Sequence, residues 1–168
     1  MAHRDLPGVI APPPLIYLGI LFIGWCLTRI GGWPEAVDAG FAWLGAGFNL
    51  ETGIKRGAAL TLIISGLLLD GLAAGLFRLR GTAVEPWKPS TVLINEGPYR
   101  FSRNPIYLGF AITYVGLSIA MDSWITLILL LPCLVIVDRY VIQREERYLA
   151  AKFGDDYEAY RRKVRRWL

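Results

Sequence analysis

Two short polar stretches hold most of the residues able to do chemistry. The first runs over 91–109 and contains Gly97-Pro98-Tyr99-Arg100 and Arg103-Asn104-Pro105-Ile106-Tyr107-Leu108-Gly109. Gly97-Pro98 marks a turn. Pro105 suits the first turn of a helix, where its missing N–H costs nothing, and Asn104 is then the expected N-cap. A chain entering an apolar layer through a helix N-terminus presents free N–H groups to a carboxylate or another anion. The plainer alternative is a capped helix start with Tyr107 as an interface aromatic. The second stretch holds Arg144, Glu145, Glu146, Arg147 and Tyr148, followed by Lys152, Phe153, Gly154, Asp155, Asp156, Tyr157 and Tyr160. Glu145 shares a helical face with Val141 and Tyr148. A carboxylate on an apolar face is costly unless it has a partner. The plainer alternative is a solvated acidic face. Gly154 fits a helix C-cap, Asp155 opens a last short helix, and that helix sets Tyr157, Tyr160, Val164 and Trp167 against basic residues, as in a surface-lying amphipathic helix.

Other chemistries are disfavoured. The one histidine, His3, rules out a histidine-based metal site and a Ser-His-Asp triad. Cys26 and Cys133 sit in apolar runs without CxxC spacing, so neither a disulfide framework nor a zinc site is expected. No metal and no nucleic acid are expected as partners. Asp70, inside an apolar run, needs a functional or structural partner. Arg139, Thr113 and a cavity are the candidates.

The elements that must hold these residues follow from hydropathy. The chain has 168 residues, 54% hydrophobic and 19% charged, against about 25% charged in a soluble domain. The charges are crowded between nearly uncharged windows of about the length a membrane span needs. Spans are expected over 15–30, 57–77, 105–121 and 124–137, the last two joined as a tight hairpin by Asp122-Ser123. The apolar stretch 33–50 carries Glu35, Asp38 and several glycines. It reads as an interfacial helix or re-entrant loop rather than a fifth span. The fold class is therefore all-α: a transmembrane bundle of four spans, or five, in one domain over 1–168, with spans between 9 and 77 and the chemistry between 84 and 168. Of the 18 Lys and Arg residues, five (Arg78, Arg80, Lys88, Arg100 and Arg103) follow the second span and nine lie from Arg139 onward. The positive-inside rule puts both segments and both termini on the cytoplasmic side, against anionic lipid headgroups.

Taken together, the two stretches resemble the isoprenylcysteine carboxyl methyltransferase family, which groups with phospholipid N-methyltransferases among small membrane methyltransferases. The resemblance runs from about Val84 to the C-terminus. It rests on Gly97-Pro98-Tyr99-Arg100, on 103–109, on Glu145-Glu146 and on Phe153-Gly154 with Tyr157. It implies an S-adenosylmethionine pocket closed by a C-terminal cytoplasmic helical segment, and a lipophilic or small acceptor arriving from the bilayer. By the same resemblance, Thr91, Val92, Leu93, Ile94 and Tyr99 line the cofactor site. Arg103, Asn104, Pro105, Ile106 and Tyr107 continue it, Glu145 takes the position of the family's cofactor-binding glutamate, and Glu146 stands beside it. Arg144 and Tyr148 are the candidates for contacting the acceptor. Such residues suit the cofactor: glutamate for its diol or amine, Arg103 and a helix N-terminus for its carboxylate, tyrosine faces for its sulfonium. Asn104 stands where the family commonly has histidine, and Val141 where prenylcysteine methyltransferases have an arginine for the substrate carboxylate. The acceptor class therefore stays open among carboxylate, amine and thiol. Two alternatives differ in kind: a sterol-reductase-like enzyme using a nicotinamide cofactor, and a non-enzymatic membrane scaffold.

Overall fold

The computed structural model describes residues 12–30, 47, 48, 50–85 and 88–168. The expected interfacial segment 33–50 lies outside them except for Gly47, Phe48 and Leu50, and so does His3. The described residues form six α-helices and no strand. The helices are α1 (Pro13–Ile30), α2 (Thr52–Leu79), α3 (Pro105–Ala120), α4 (Trp124–Val137), α5 (Gln143–Phe153) and α6 (Asp155–Lys163). A 3₁₀ turn (Gly97–Arg100) precedes α3, and a π-helical turn (Asp138–Ile142) joins α4 to α5 without a break. Three stretches are long and apolar enough to cross a membrane: Pro13–Ile30, Thr52–Leu79 and Trp124–Phe153. The shorter α3 is apolar throughout. This is a membrane protein, and the expected four spans fall on α1 to α4.

Packing explains the arrangement. α1 buries Pro13, Tyr17, Leu21 and Gly24, a stripe at three- and four-residue spacing, and packs chiefly on α4. Its other faces expose Leu15, Leu18, Phe22 and Ile23, as lipid contact requires. Gly24 lets the helices close, since a Cβ there would meet Thr126 Oγ1 at 2.8 Å. α2 buries Ala59, Gly66 and Ala73, one residue every seven, and lies along α3. Small residues line the seam on both sides, because helices in lipid gain from close backbone approach rather than from hydrophobic burial. A Cβ on Gly116 would stand 2.8 Å from Ile63 Cγ1, and one on Gly66 or Gly109 would strike the other helix.

The α3–α4 hairpin turns on Asp122, at φ +56°, a conformation an aspartate tolerates better than most residues. Its carboxylate accepts from Lys55 Nζ at 2.7 Å and from the Phe48 N–H at 2.9 Å. Ser123 caps α4 by accepting from the Thr126 N–H. At the far end of α4 the uncharged apolar run stops at Val137, and α5, beyond it, carries the polar residues Gln143 to Arg147. The π turn adds a residue to one turn and so resets the face that α5 presents.

Candidate functional site

The site forms where α5 and α6 fold back over the α3 entry. Gly154, at φ +51°, ends α5 and lets the chain reverse into α6. Tyr157 and Tyr160 then bury their rings, and the Tyr160 hydroxyl donates to the Tyr99 carbonyl at 2.8 Å. Residues 164–168 cross the α3 N-terminus as a strap. The Arg103 N–H donates to the Arg165 carbonyl at 2.9 Å. Ser102 Oγ and Asn104 Nδ2 both donate to the Arg166 carbonyl, at 3.2 and 3.0 Å. Asn104 occupies the expected N-cap position of α3, but its side chain makes no cap hydrogen bond and is drawn instead to the strap. Trp167, expected on a membrane-surface face, packs against the helical core.

Behind the strap lies an ionic knot. Arg103 gives Nε and Nη2 to Glu146 Oε1, at 3.2 and 2.7 Å, and Nη1 to the carbonyls of Arg161 and Val164. Arg166 grips Glu146 through Nε and Nη2, at 3.1 and 2.6 Å, and reaches Asp138 through Nη1. Burial alone would raise the Glu146 carboxyl, but the hydrogen bonds and charges of Arg166 and Arg103 hold it below the ordinary carboxylate range.

Glu145, one residue earlier, has a different environment. Its Oε1 accepts from the Tyr107 hydroxyl at 2.6 Å, and Oε2 has no hydrogen bond among the described residues. Burial pushes its carboxyl up to about 7; the Tyr107 hydrogen bond pulls it down and the Glu146 charge adds to the rise. Tyr107 is itself positioned from behind, its carbonyl accepting from the Tyr17 hydroxyl of α1 at 3.0 Å.

These groups bound a cleft of about 820 Å³, its open mouth included. Val92, Leu93, Ile94 and Tyr99 form one side, with Phe77 of α2 edge-on to Tyr99 at 5.7 Å. Arg103, Asn104, Ile106 and Tyr107 form the α3 side; Glu145, Glu146, Tyr148 and Leu149 the α5 side; Tyr157 and Tyr160 the roof. The structure therefore brings together eleven of the expected positions. It leaves three outside the lining: Thr91, whose N–H donates to Thr82 Oγ1; Pro105, buried at the helix start; and Arg144. Sequence reasoning missed Phe77, Ala83, Val84, Glu85, Ser90, Leu149, Tyr157 and Tyr160 as wall residues. It also missed Arg166 and Asp138 as the outer members of the knot. Nothing local in the sequence marks those two; the double negative charge of Glu145-Glu146 beside a basic tail is the one hint.

A family model described as phospholipid methyltransferase matches residues 54–156. A protein-S-isoprenylcysteine O-methyltransferase of Schizosaccharomyces pombe is 36% identical over 73 residues, which is 44% of this chain and 31% of that protein. An uncharacterized protein of Haemophilus influenzae is 42% identical over 55 residues, 33% of this chain and 78% of that protein. The chain thus spans about a third of the length of the S. pombe relative. No solved structure matches it.

Proposed function

We propose, from the premise that this chain belongs to the phospholipid methyltransferase family, that it is a membrane methyltransferase taking its methyl group from S-adenosylmethionine and passing it to a lipophilic or small acceptor from the bilayer. The observation that carries this reading is the half-satisfied Glu145 carboxylate, held by Tyr107 in a tyrosine-lined cleft at the end of the spans. S-adenosylmethionine brings a cationic sulfonium, an ammonium, a carboxylate and a ribose diol. The lining suits that set: Glu145 Oε2 accepts from the diol or ammonium, and the faces of Tyr99, Tyr157 and Tyr160 favour the sulfonium, at about 0.5–2 kcal/mol each where desolvated. The bound cofactor supplies an electrophilic methyl carbon, and the chain's own residues do the rest.

Tyr107 fixes the Glu145 rotamer. The Arg103–Glu146–Arg166 knot holds the α5 wall, and the roof tyrosines exclude water, so that alignment and dryness supply much of the rate. Arg103, proposed from the resemblance as a carboxylate partner, has its guanidinium engaged with Glu146 and two carbonyls. We assign it to holding the wall, with the α3 N-terminus left for the cofactor carboxylate. Tyr148 sits at the cleft edge, where it contacts an arriving acceptor. The knot and strap lie on the cytoplasmic side in this proposal.

A screen with methyl-labelled S-adenosylmethionine against amines, thiols, carboxylates including prenylcysteine, and phospholipids tests the activity. Label transfer to one of these classes by the wild type, and none by Glu145→Ala, is expected. Binding of NADPH with no binding of S-adenosylhomocysteine would point to a reductase instead. Equal function of wild type and Glu145→Ala in cells would favour a scaffold.

A further inference from the structure

Tyr107 donates to Glu145 from the third residue of α3. A helix end is where the backbone has the fewest hydrogen bonds to fix it, and Asn104 gives this end no side-chain cap. On the α2 side the seam is made of small residues. Asp70 meets Gly109 there, and the Asp70 carboxylate oxygens and Thr113 Oγ1 are buried without a hydrogen bond among the described residues. The expected pairing of Asp70 with Arg139 is not formed. That side gives the first turns of α3 close packing but no polar hold.

The hold comes from α1. Tyr17 is buried, and its hydroxyl donates to the Tyr107 carbonyl at 3.0 Å. Its ring stands edge-on to Phe110 at 5.6 Å and to Tyr114 at 6.5 Å, so it brackets the same stretch of α3. In a helix the carbonyls point toward the C-terminus and the side chains lean toward the N-terminus. Tyr107 is therefore gripped through its backbone from inside the bundle. From the cleft side it is gripped through its hydroxyl, which donates to Glu145 Oε1 at 2.6 Å. A phenol hydroxyl lies far from the helix axis, so a slight roll of the first turn carries it off so short a bond. Misplacement by about 1 Å can cost about a hundredfold at a reacting site. α1 lies outside residues 54–156, which the family model matches.

We infer that Tyr17 is a positioning residue for the cofactor site: by fixing the Tyr107 backbone it sets the place of the Tyr107 hydroxyl and, through it, of the Glu145 carboxylate. The inference rests on the methyltransferase reading above. It adds to the site a residue of the first span that does not itself line the cleft. A buried phenol needs an acceptor in any case, and Tyr114 shows a purely structural one. Tyr114 is as buried as Tyr17 and belongs to the same core. Its hydroxyl donates to the Thr126 carbonyl at 2.9 Å and ties α3 to α4 away from the cleft. The two bonds are alike in kind, and they differ in whether the residue so held reaches the cleft. Tyr114→Phe is therefore the matched control for Tyr17→Phe.

The test uses the purified full chain in detergent and calorimetric titration of S-adenosylhomocysteine. Tyr17→Phe keeps the ring and removes the hydroxyl. It should weaken binding about threefold to tenfold, the span that one neutral hydrogen bond covers. Tyr114→Phe should lower the melting temperature about as much as Tyr17→Phe does, yet bind as the wild type. In a Tyr107→Phe background, Tyr17→Phe should alter affinity by less than about twofold, because the hydroxyl it positions is gone. The pH dependence is a further readout. The Tyr107 bond pulls the Glu145 carboxyl down against its burial, and the Glu146 beside it stays ionised. An ionised carboxylate is the stronger acceptor. Affinity should therefore rise with pH through about 7, with the midpoint moved to higher pH in Tyr17→Phe and unmoved in Tyr114→Phe. Wild-type affinity in Tyr17→Phe, an equal loss in Tyr114→Phe, the whole loss added on top of Tyr107→Phe, or failure of Tyr17→Phe alone to fold would overturn the inference and leave the methyltransferase reading standing. Failure of the wild type to bind S-adenosylhomocysteine would overturn that reading itself, and this inference with it.

Discussion

Glu145 and Glu146 are adjacent in sequence and opposite in chemistry. Glu146 is ringed by two guanidinium groups and stays ionised; Glu145 has one neutral donor, from Tyr107, and titrates near 7. A hydrogen bond to a charged group is worth about 1.5–3 kcal/mol. Removing the Tyr107 hydroxyl by Tyr107→Phe should therefore weaken S-adenosylhomocysteine binding by roughly tenfold or more through loss of Glu145 positioning, measured by calorimetry. The raised carboxyl also gives a signed pH effect. Burial of Glu145 favours the protonated form, so its contribution to stability is whole below its unfolded value of 4.5 and is lost as pH rises through about 7. Melting temperature in detergent should fall over that window, and Glu145→Gln should remove that fall. Glu146 acts oppositely, losing its contribution as pH falls below 4.5. At this scale the sequence was informative. Glu145 and Tyr107 stand out by type and motif, and the cleft unites them although they are 38 positions apart. The engagement of Arg103 by Glu146, and of Asn104 by the strap, was not legible, because a side chain's choice among partners depends on distances that no local pattern encodes.

The helices were legible by hydropathy alone. The expected fourth span, 124–137, is α4 to the residue, and the third differs from α3 by one. α2 runs five residues earlier than expected, since Glu51 accepts from the Gly53 and Ile54 N–H groups and caps a first turn whose apolar signal is broken by Lys55 and Arg56. The π turn at Asp138–Ile142 was illegible, being a change in hydrogen-bond register rather than in composition. The small residues at 66, 109 and 116 were visible in the sequence, and the structure shows what they do. Gly116→Ala should lower stability by about 1–3 kcal/mol, the range for overpacking a close contact. Gly71→Ala, with nothing within 4 Å of a new Cβ, is the control and should leave the melting temperature in place. Equal melting of the two variants would mean that the α2–α3 seam is looser than drawn.

In the whole molecule, spans from the N-terminal half support a site built from the C-terminal half, and the strap over 164–168 joins the two ends of that site. Arg166 is the tie. It links the end of the last span, through Asp138, to the α5 wall, through Glu146, while its carbonyl takes Ser102 and Asn104. Arg166→Ala leaves Glu146 with one cation in a partly buried setting and should cost about 1–3 kcal/mol. It should also weaken cofactor binding without abolishing it, as thermal melting with and without S-adenosylhomocysteine would show. The central claim, that the cleft under this strap is a cofactor site read by Glu145, has its most direct test in calorimetric titration of S-adenosylhomocysteine into purified wild-type and Glu145→Ala protein. Saturable binding by the wild type, about ten- to a hundredfold weaker in the variant, is predicted from the loss of one charged hydrogen bond. Equal binding by both proteins, or none by the wild type, would contradict it.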